Sequence, residues 1–260
     1  MRRFIRISFC FFFCLMFIFF SFVSPKEDEI PEKGEEAVAD QSLPPETTIL
    51  YDKESMWQIP GEKRISVPTI SQYPLLPTGC ESVAATMVLQ YYGENISAKI
   101  FARRFLKSSM KFQVKGGVLY GPDPNQVFVG DPFDKNSYGC FADPIVNAVN
   151  SYGENLEAIK ITDKTLDQLC EEYIVREEPL LIWATMGMKA SKKGNSWRLE
   201  NGTEFTWTAG EHCLVLTGYD ANSYFLNDPM TGTVVSYPKD VVQKRFEELG
   251  SQAVLILRKK

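Results

Sequence analysis

The stretch that decides the fold runs from residue 212 to residue 228 and reads HCLVLTGYDANSYFLND. It contains two apolar runs, 212–219 and 223–228, whose aromatic and β-branched residues favour strands. Residues 220–222, Asp-Ala-Asn, are of the types that form turns. The pattern predicts an antiparallel hairpin, in which the start of the first strand lies beside the end of the second. We therefore expect His212 and Asp228 to be neighbours.

The remainder of the folded part divides into an early helical half and a later sheet. Apolar residues at helical spacing predict helices, and short aromatic or β-branched runs predict strands. Helices that precede an antiparallel sheet indicate an α+β fold. We expect 107–140 to be loop-rich and 187–202 to be a mobile flap or a solvated connection. The predicted helices cover 80–92, 97–106, 142–151, 165–174 and 239–248, and the further strands cover 65–70, 156–161, 179–186, 203–208, 233–237 and 253–258.

The N-terminal part has the composition of a targeting segment and a linker. Residues 1–24 combine three arginines with an uncharged run of 18 residues, which predicts a signal peptide or an N-terminal membrane anchor. Residues 25–58 begin with an acidic, proline-rich stretch that cannot bury enough apolar surface to fold, so we expect a disordered linker. The folded domain is predicted to cover 59–260. Its expected location is extracellular or on the outer face of the cytoplasmic membrane.

Composition excludes several classes of function. The formal net charge is −5 and the sequence pI is about 5.2, which disfavours a nucleic-acid partner. The chain has a single histidine, so zinc motifs that need two histidines are excluded. We expect neither a metal nor a cofactor. The predicted partner is a peptide or protein substrate, and contact with a membrane is expected only through 1–24; the oligomeric state is left open.

The first candidate catalytic residue is Cys80, in the segment LPTGCES. Its position at a predicted helix start would lower the pKa of the thiol, because the helix dipole favours an anion there. Gly79 would let the backbone turn tightly and a substrate approach. The competing interpretation is that Cys80 is a small buried apolar residue, as most free cysteines are. We expect Cys80 to be unpaired, whereas the pairing of Cys140, Cys170 and Cys213 is left open.

Three further residues complete a candidate site. Across the predicted hairpin, Asp228 would orient the ring of His212, which gives a nucleophile, a base and an orienting acid in the chain order Cys–His–Asp. Gln72, eight residues before Cys80, would donate a hydrogen bond to a developing oxyanion. Trp207 would either line a substrate cleft or pack in the core.

Three segments carry a resemblance to a known family: ISQYPLLPTGCESVAATMVLQYYG (70–93), GDPFDKNSYGCFADPIVNAV (130–149) and GEHCLVLTGYDANSYFLNDPMTG (210–232). Together they resemble the secreted relatives of the bacteriocin-processing cysteine peptidases, the C39-like group. The resemblance implies a papain-like α+β fold, with an N-terminal helical part packed on a C-terminal antiparallel sheet. It also implies a cysteine nucleophile, a histidine base, an aspartate that orients the base and an oxyanion glutamine. The residues at the matching positions are Cys80, His212, Asp228 and Gln72.

Two hypotheses for the function follow. The first is an exported cysteine peptidase that hydrolyses a peptide (amide) bond through an acyl-enzyme. The second is a non-catalytic domain that binds peptides or cell-wall material on a papain-like scaffold, since a fold does not dictate a function.

Overall fold

The structure, a computed structural model, describes residues 60–259, and the predictions for 1–24 and 25–58 lie outside the described residues. The helices are α1 (Cys80–Tyr91), α2 (Ala98–Arg104), α3 (Ala142–Tyr152), α4 (Leu166–Glu172) and α5 (Lys239–Glu248). The strands are β1 (Lys63–Arg64), β2 (Ser108–Ser109), β3 (Gln113–Lys115), β4 (Val118–Tyr120), β5 (Phe128–Val129), β6 (Leu156–Ile161), β7 (Leu180–Thr185), β8 (Lys192–Arg198), β9 (Glu204–Ala209), β10 (Glu211–Tyr219), β11 (Ser223–Asp228), β12 (Thr233–Pro238) and β13 (Ala253–Arg258).

The predicted hairpin of β10 and β11 lies in the middle of the main sheet. In residues 60–259 the strands of this sheet follow the order β12-β11-β10-β7-β13-β6, with β1 also paired to β10, and all of these pairs are antiparallel. Strand β10 is buried along its whole length, because strands flank it and α1 packs on it. The hairpin that the sequence predicts therefore anchors the core of the domain.

The helices are defined by local signals that the sequence shows. Ser97 accepts a hydrogen bond from the backbone N–H of Ile100 and caps α2, as predicted. Gly93 follows α1 with a φ of +91°, a left-handed conformation that favours glycine. Most of α1 is buried on every side, from Cys80 to Leu89, because the helix lies between the sheet and the other helices. This burial fixes the position of the helix start relative to β10.

Two local predictions are wrong. No strand forms at 65–70; the short strand is Lys63–Arg64, and Pro68 has no N–H with which to join a sheet. Residues 187–202 are more than a flap or a solvated connection, because Lys192–Arg198 within them form β8. Strand β8 pairs with β9 and β4 in a second sheet of order β3-β4-β8-β9. Aromatic side chains cover one side of this sheet and form a second buried cluster around Trp197 and Trp207.

The described part of the chain thus has the α+β architecture that the sequence predicts, with the early helices packed on a largely C-terminal antiparallel sheet. Among residues 60–259, no helix combines the length and the apolar character needed to cross a bilayer.

Candidate active site

The start of α1 places Cys80 beneath the surface of the domain. Gly79 is the residue before the helix, and a methyl group added to it would lie 3.1 Å from the Cβ atoms of both Leu76 and Pro132. The close packing therefore leaves little room for a side chain at position 79. Cys80 itself is only 4% exposed. The helix start is thus held tightly by the loops on both sides of it.

His212 lies at the beginning of β10 and is bonded to Asp228, at the end of β11. The ring Nε2 and the carboxylate Oδ1 are 2.7 Å apart, and both side chains are buried. Burial by itself would raise the pKa of Asp228, but the hydrogen bond with His212 and the nearby ring lower it below its usual value. The backbone N–H of Met230 also donates to Oδ1 and holds the carboxylate in place. The hairpin thus brings together the two residues that the sequence predicts as neighbours.

The second ring nitrogen of His212, Nδ1, is buried and has no hydrogen-bond partner among residues 60–259. With Nε2 engaged by the Asp228 carboxylate, the neutral ring carries its hydrogen on Nε2 and leaves the lone pair on Nδ1 free. An unpaired buried nitrogen is costly and is a common feature of functional sites. His212 is therefore arranged to accept a proton at Nδ1.

The sulfur of Cys80 lies beside the same strand, next to the backbone N–H of Cys213, the residue that follows His212. The thiol donates a hydrogen bond to Glu81 Oε2, with a sulfur–oxygen distance of 3.4 Å. Among the described residues, no hydrogen bond joins the sulfur to His212. The structure therefore brings the nucleophile candidate to the strand of the base candidate, with its thiol turned to Glu81.

The predicted low pKa of the Cys80 thiol is wrong in this arrangement. Burial raises the pKa well above its usual value, and the neighbouring acids Glu81 and Glu211 raise it further. The backbone N–H of Cys213 lowers it, but the desolvation of the thiolate outweighs this contribution. In the free protein the thiol is the favoured form of Cys80.

The carboxyl groups of Glu81 and Glu211 form a buried carboxyl pair next to Cys80 that sequence reasoning missed. Their oxygens and the Cys80 sulfur all lie within 4.8 Å of one another. A thiolate and two carboxylates are ligand types for a metal. Glu81 Oε1 accepts a hydrogen bond of 2.6 Å from the backbone N–H of Cys140. The backbone thus holds one carboxyl of the pair in place.

Gln72 is buried in the loop that leads to α1. Its Nε2 donates a hydrogen bond of 2.8 Å to the carbonyl of Pro77, and its Oε1 has no partner. Its backbone N–H donates to the carbonyl of Pro229, which ties this loop to the turn after Asp228. The amide lies in the same loop as Cys80, and its oxyanion role stays a prediction.

Trp207 is 7% exposed and stacks on Phe141 with ring centroids 5.7 Å apart. It packs in the second aromatic cluster, and its predicted contact with substrate, like that of Gly79, stays a prediction. Within residues 60–259, Cys80, Cys140, Cys170 and Cys213 are all free thiols. This agrees with the expectation that Cys80 is unpaired. The other three cysteines, whose pairing the sequence leaves open, form no disulfide among the described residues.

A cysteine at the start of a buried helix and a carboxylate-bound histidine on a neighbouring strand are residue types that a cysteine peptidase uses as nucleophile and base. A solved structure of a Bacillus anthracis protein described as a C39-like peptidase shares 28% sequence identity and a TM-score of 0.66, and the match covers 76% of this chain and 98% of that one. The model of the Peptidase_C39 like family matches residues 64–254. The chain belongs to this family, and its papain-like α+β fold is that of C39-like peptidases.

One curated relative also matches. The Bacillus subtilis (strain 168) protein YvpB is 28% identical over 188 residues, which is 70% of this chain and 70% of that protein, and its own function is uncharacterized. The family and fold support a cysteine peptidase in general terms.

Proposed function

We propose that this chain is an exported cysteine peptidase that hydrolyses a peptide (amide) bond in a peptide or protein substrate outside the cytoplasm. Cys80 is the nucleophile, His212 is the general base and acid, and Asp228 orients the imidazole ring. Gln72 and the backbone N–H of Cys80 stabilise the oxyanion. Export rests on the sequence of residues 1–24, which has the charge and apolar pattern of a signal peptide or anchor.

The state of the His212 ring carries the proposal. Nε2 is fixed by Asp228 at 2.7 Å, and Nδ1 is buried, unpaired and available for a proton. A purely structural histidine would use both nitrogens, because an unsatisfied buried nitrogen costs stability. A base that is oriented by a carboxylate and has one free nitrogen is what general-base catalysis needs.

The position of Cys80 supports its role as nucleophile. Its sulfur lies at the backbone N–H of Cys213, one residue from His212 along β10. The proposal requires the Cys80 thiol to leave Glu81 and to reach the free ring nitrogen of His212 when substrate is bound. Catalytic hydrogen bonds are often absent in the free enzyme and form only when substrate is bound.

The reaction proceeds in two stages. His212 Nδ1 takes the thiol proton, the sulfur attacks the carbonyl carbon, and the oxyanion accepts hydrogen bonds from Gln72 and the Cys80 N–H. For this, the Gln72 amide exchanges its bond to the Pro77 carbonyl for one to the oxyanion. The imidazolium then protonates the leaving amine, the C–N bond breaks, and a thioester remains. Water, deprotonated by His212, hydrolyses the thioester and restores the thiol.

One observation favours the second hypothesis, a non-catalytic binding domain. Burial and two neighbouring acids raise the pKa of the Cys80 thiol, and a protonated thiol is a poor nucleophile. The two hypotheses differ in whether a bound peptide is cut.

Incubation of the purified full-length chain with a peptide library, followed by mass spectrometry, separates them. The proposal expects cleavage products that disappear in Cys80→Ala and in His212→Ala. Cys170→Ala is the matched control, because Cys170 is also a buried free thiol but lies beside Asp167, away from the candidate site. Peptide binding with no cleavage by the unmodified chain would support the binding domain and refute the peptidase.

A further inference from the structure

The carboxyl pair lies in a position where two negative charges are hard to accommodate. Glu81 is fully buried and Glu211 is 4% exposed. Both carboxyls contact the backbone at Gly139: a methyl group there would lie 2.6 Å from Glu81 Oε1 and 3.0 Å from Glu211 Oε2. Glycine at position 139 thus lets the chain close over the pair, and water is kept out.

In the part of the chain that the structure describes, the titratable groups that face the pair carry no positive charge. Cys80 faces it from α1, Cys140 faces it from the loop before α3, and Cys213 faces it from β10. The ring of His212, which is also on β10, is bonded to Asp228 instead. Two carboxylates that lie close together in a dry site without a cation cannot both ionise, so one of them keeps its proton.

The hydrogen bonds show which carboxyl is the acceptor. Glu81 accepts from the backbone N–H of Cys140 through Oε1 and from the Cys80 thiol through Oε2. These bonds favour the ionised form of Glu81. Glu211 Oε1 has no partner, and burial followed by the charge of Glu81 raises the pKa of Glu211 well above its usual value. Glu211 is therefore the carboxyl that keeps the proton.

We propose that Glu81 and Glu211 act as a carboxyl pair that retains one proton and positions the Cys80 thiol. The thiol stays hydrogen-bonded to Glu81 until a substrate is bound. Glu81 and Glu211 are positioning residues in this scheme, and Cys80 and His212 remain the catalytic ones. The free protein then has a thiol turned away from His212 instead of a preformed thiolate–imidazolium pair. The catalytic role of this resting state rests on the proposed function. The protonation of the Cys80 thiol can be measured whether or not the chain cleaves peptides.

The test measures the pH dependence of iodoacetamide labelling at Cys80 by residue-specific mass spectrometry on the full-length chain. In Glu81→Gln, removal of the ionised acid that accepts the thiol hydrogen lowers the pKa of the thiol. The labelling midpoint of this variant is expected to move to lower pH by about one unit, which gives about tenfold faster labelling below the midpoint. Glu211→Gln replaces a carboxyl that already keeps its proton by a neutral amide, so its midpoint should stay close to that of the unmodified chain. Glu200→Gln, at an exposed site, is the matched control and leaves the midpoint unchanged. An unchanged midpoint in Glu81→Gln, or an equal shift in Glu211→Gln, overturns the proposal.

A second measurement does not require the variants to fold. Infrared spectroscopy of the unmodified chain at neutral pH is expected to show the C=O stretch of a protonated buried carboxyl. The absence of that band overturns the proposal. Neither readout requires turnover, so the positioning role of the pair and the peptidase activity are tested separately. Peptide cleavage by Cys80→Ala would refute the proposed peptidase activity. The labelling midpoints of the glutamine variants would still decide whether the pair positions the thiol.

Discussion

His212 and Asp228, 16 residues apart in the chain, are joined by a buried hydrogen bond of 2.7 Å between Nε2 and Oδ1. The bond is a direct consequence of the hairpin, which returns the chain so that the end of β11 lies beside the start of β10. It leaves only Nδ1 of the ring free. The proposed chemistry follows from this one contact, since it decides which nitrogen can exchange a proton with Cys80.

Replacement of Asp228 tests the orienting role. Asp228→Asn keeps the size of the side chain but favours the wrong ring tautomer, so we expect kcat on a cleaved peptide to fall by roughly 10⁴-fold. Steady-state kinetics provide the measurement, and circular dichroism checks the fold. Asp240→Asn, on the exposed side of α5, is the control and should retain full activity. Activity of Asp228→Asn within a few-fold of the unmodified chain would contradict the orienting role.

Replacement of Gln72 tests the oxyanion site. We expect Gln72→Ala to lower kcat with little change in KM, because the amide bonds the oxyanion only in the transition state; the expected loss is about 2.7–4 kcal/mol of stabilisation. Gln90→Ala is a close control, since the Gln90 amide also donates to a backbone carbonyl, that of Ile96. A loss confined to KM, or an equal loss in both variants, would argue against an oxyanion role for Gln72.

The pH dependence of stability tests the burial of Glu81. Burial raises the pKa of Glu81 from 4.5 to about 7, so the native state binds more protons than the unfolded state between these two pH values. The free energy of unfolding should therefore fall as the pH rises from 4.5 to about 7, by about 1.4 kcal/mol per unit of pKa difference. Urea unfolding at several pH values provides the measurement.

Glu81→Gln should reduce this pH dependence by the share of Glu81, because one titrating carboxyl is gone; the buried Glu211 keeps a raised pKa, caused first by desolvation, and retains its own share. Glu200→Gln should keep the dependence of the unmodified chain. If the curves of Glu81→Gln and the unmodified chain have equal slopes, Glu81 does not titrate in this range.

Gly139 tests the close packing over the carboxyl pair. In Gly139→Ala the new methyl group meets oxygens of both Glu81 and Glu211 at 3.0 Å or less. We expect a loss of about 1–3 kcal/mol in the free energy of unfolding, as for other overpacked cores. Gly153→Ala is the control, because a methyl group there meets no atom within 4 Å. Equal unfolding midpoints for the two variants would show that the loop is free to move away.

The sequence predicts the hairpin and its site because local signals decide them. The apolar runs on either side of the turn at 220–222 define the two strands, and the turn sets their pairing. Helix α5 is likewise predicted over 239–248, the range observed. Strand β8 was missed because its residues, KKGNSWR, are mostly exposed and polar, with only Trp197 buried. Its pairing with β4 is a long-range contact that leaves no periodic pattern in the sequence.

The carboxyl pair could not be predicted for a related reason. An acidic residue in the first turn of a helix usually faces water and interacts with the helix dipole. Glu81 is instead covered by the chain at Gly139 and Cys140, which lies 59 residues away. Burial also explains the wrong prediction for the Cys80 pKa, since desolvation of the thiolate is the largest influence on that pKa. The sequence does contain one signal of the pair: Glu81 directly follows Cys80, and Glu211 directly precedes His212.

The most direct test of the central claim is a search for the acyl-enzyme. A reaction of the full-length chain with a cleaved peptide is quenched in acid and analysed by mass spectrometry of its fragments. We predict a peptide-derived acyl group on the sulfur of Cys80, absent in His212→Ala. Peptide cleavage that proceeds with the acyl group on another residue, or that persists in Cys80→Ala, would contradict the central claim.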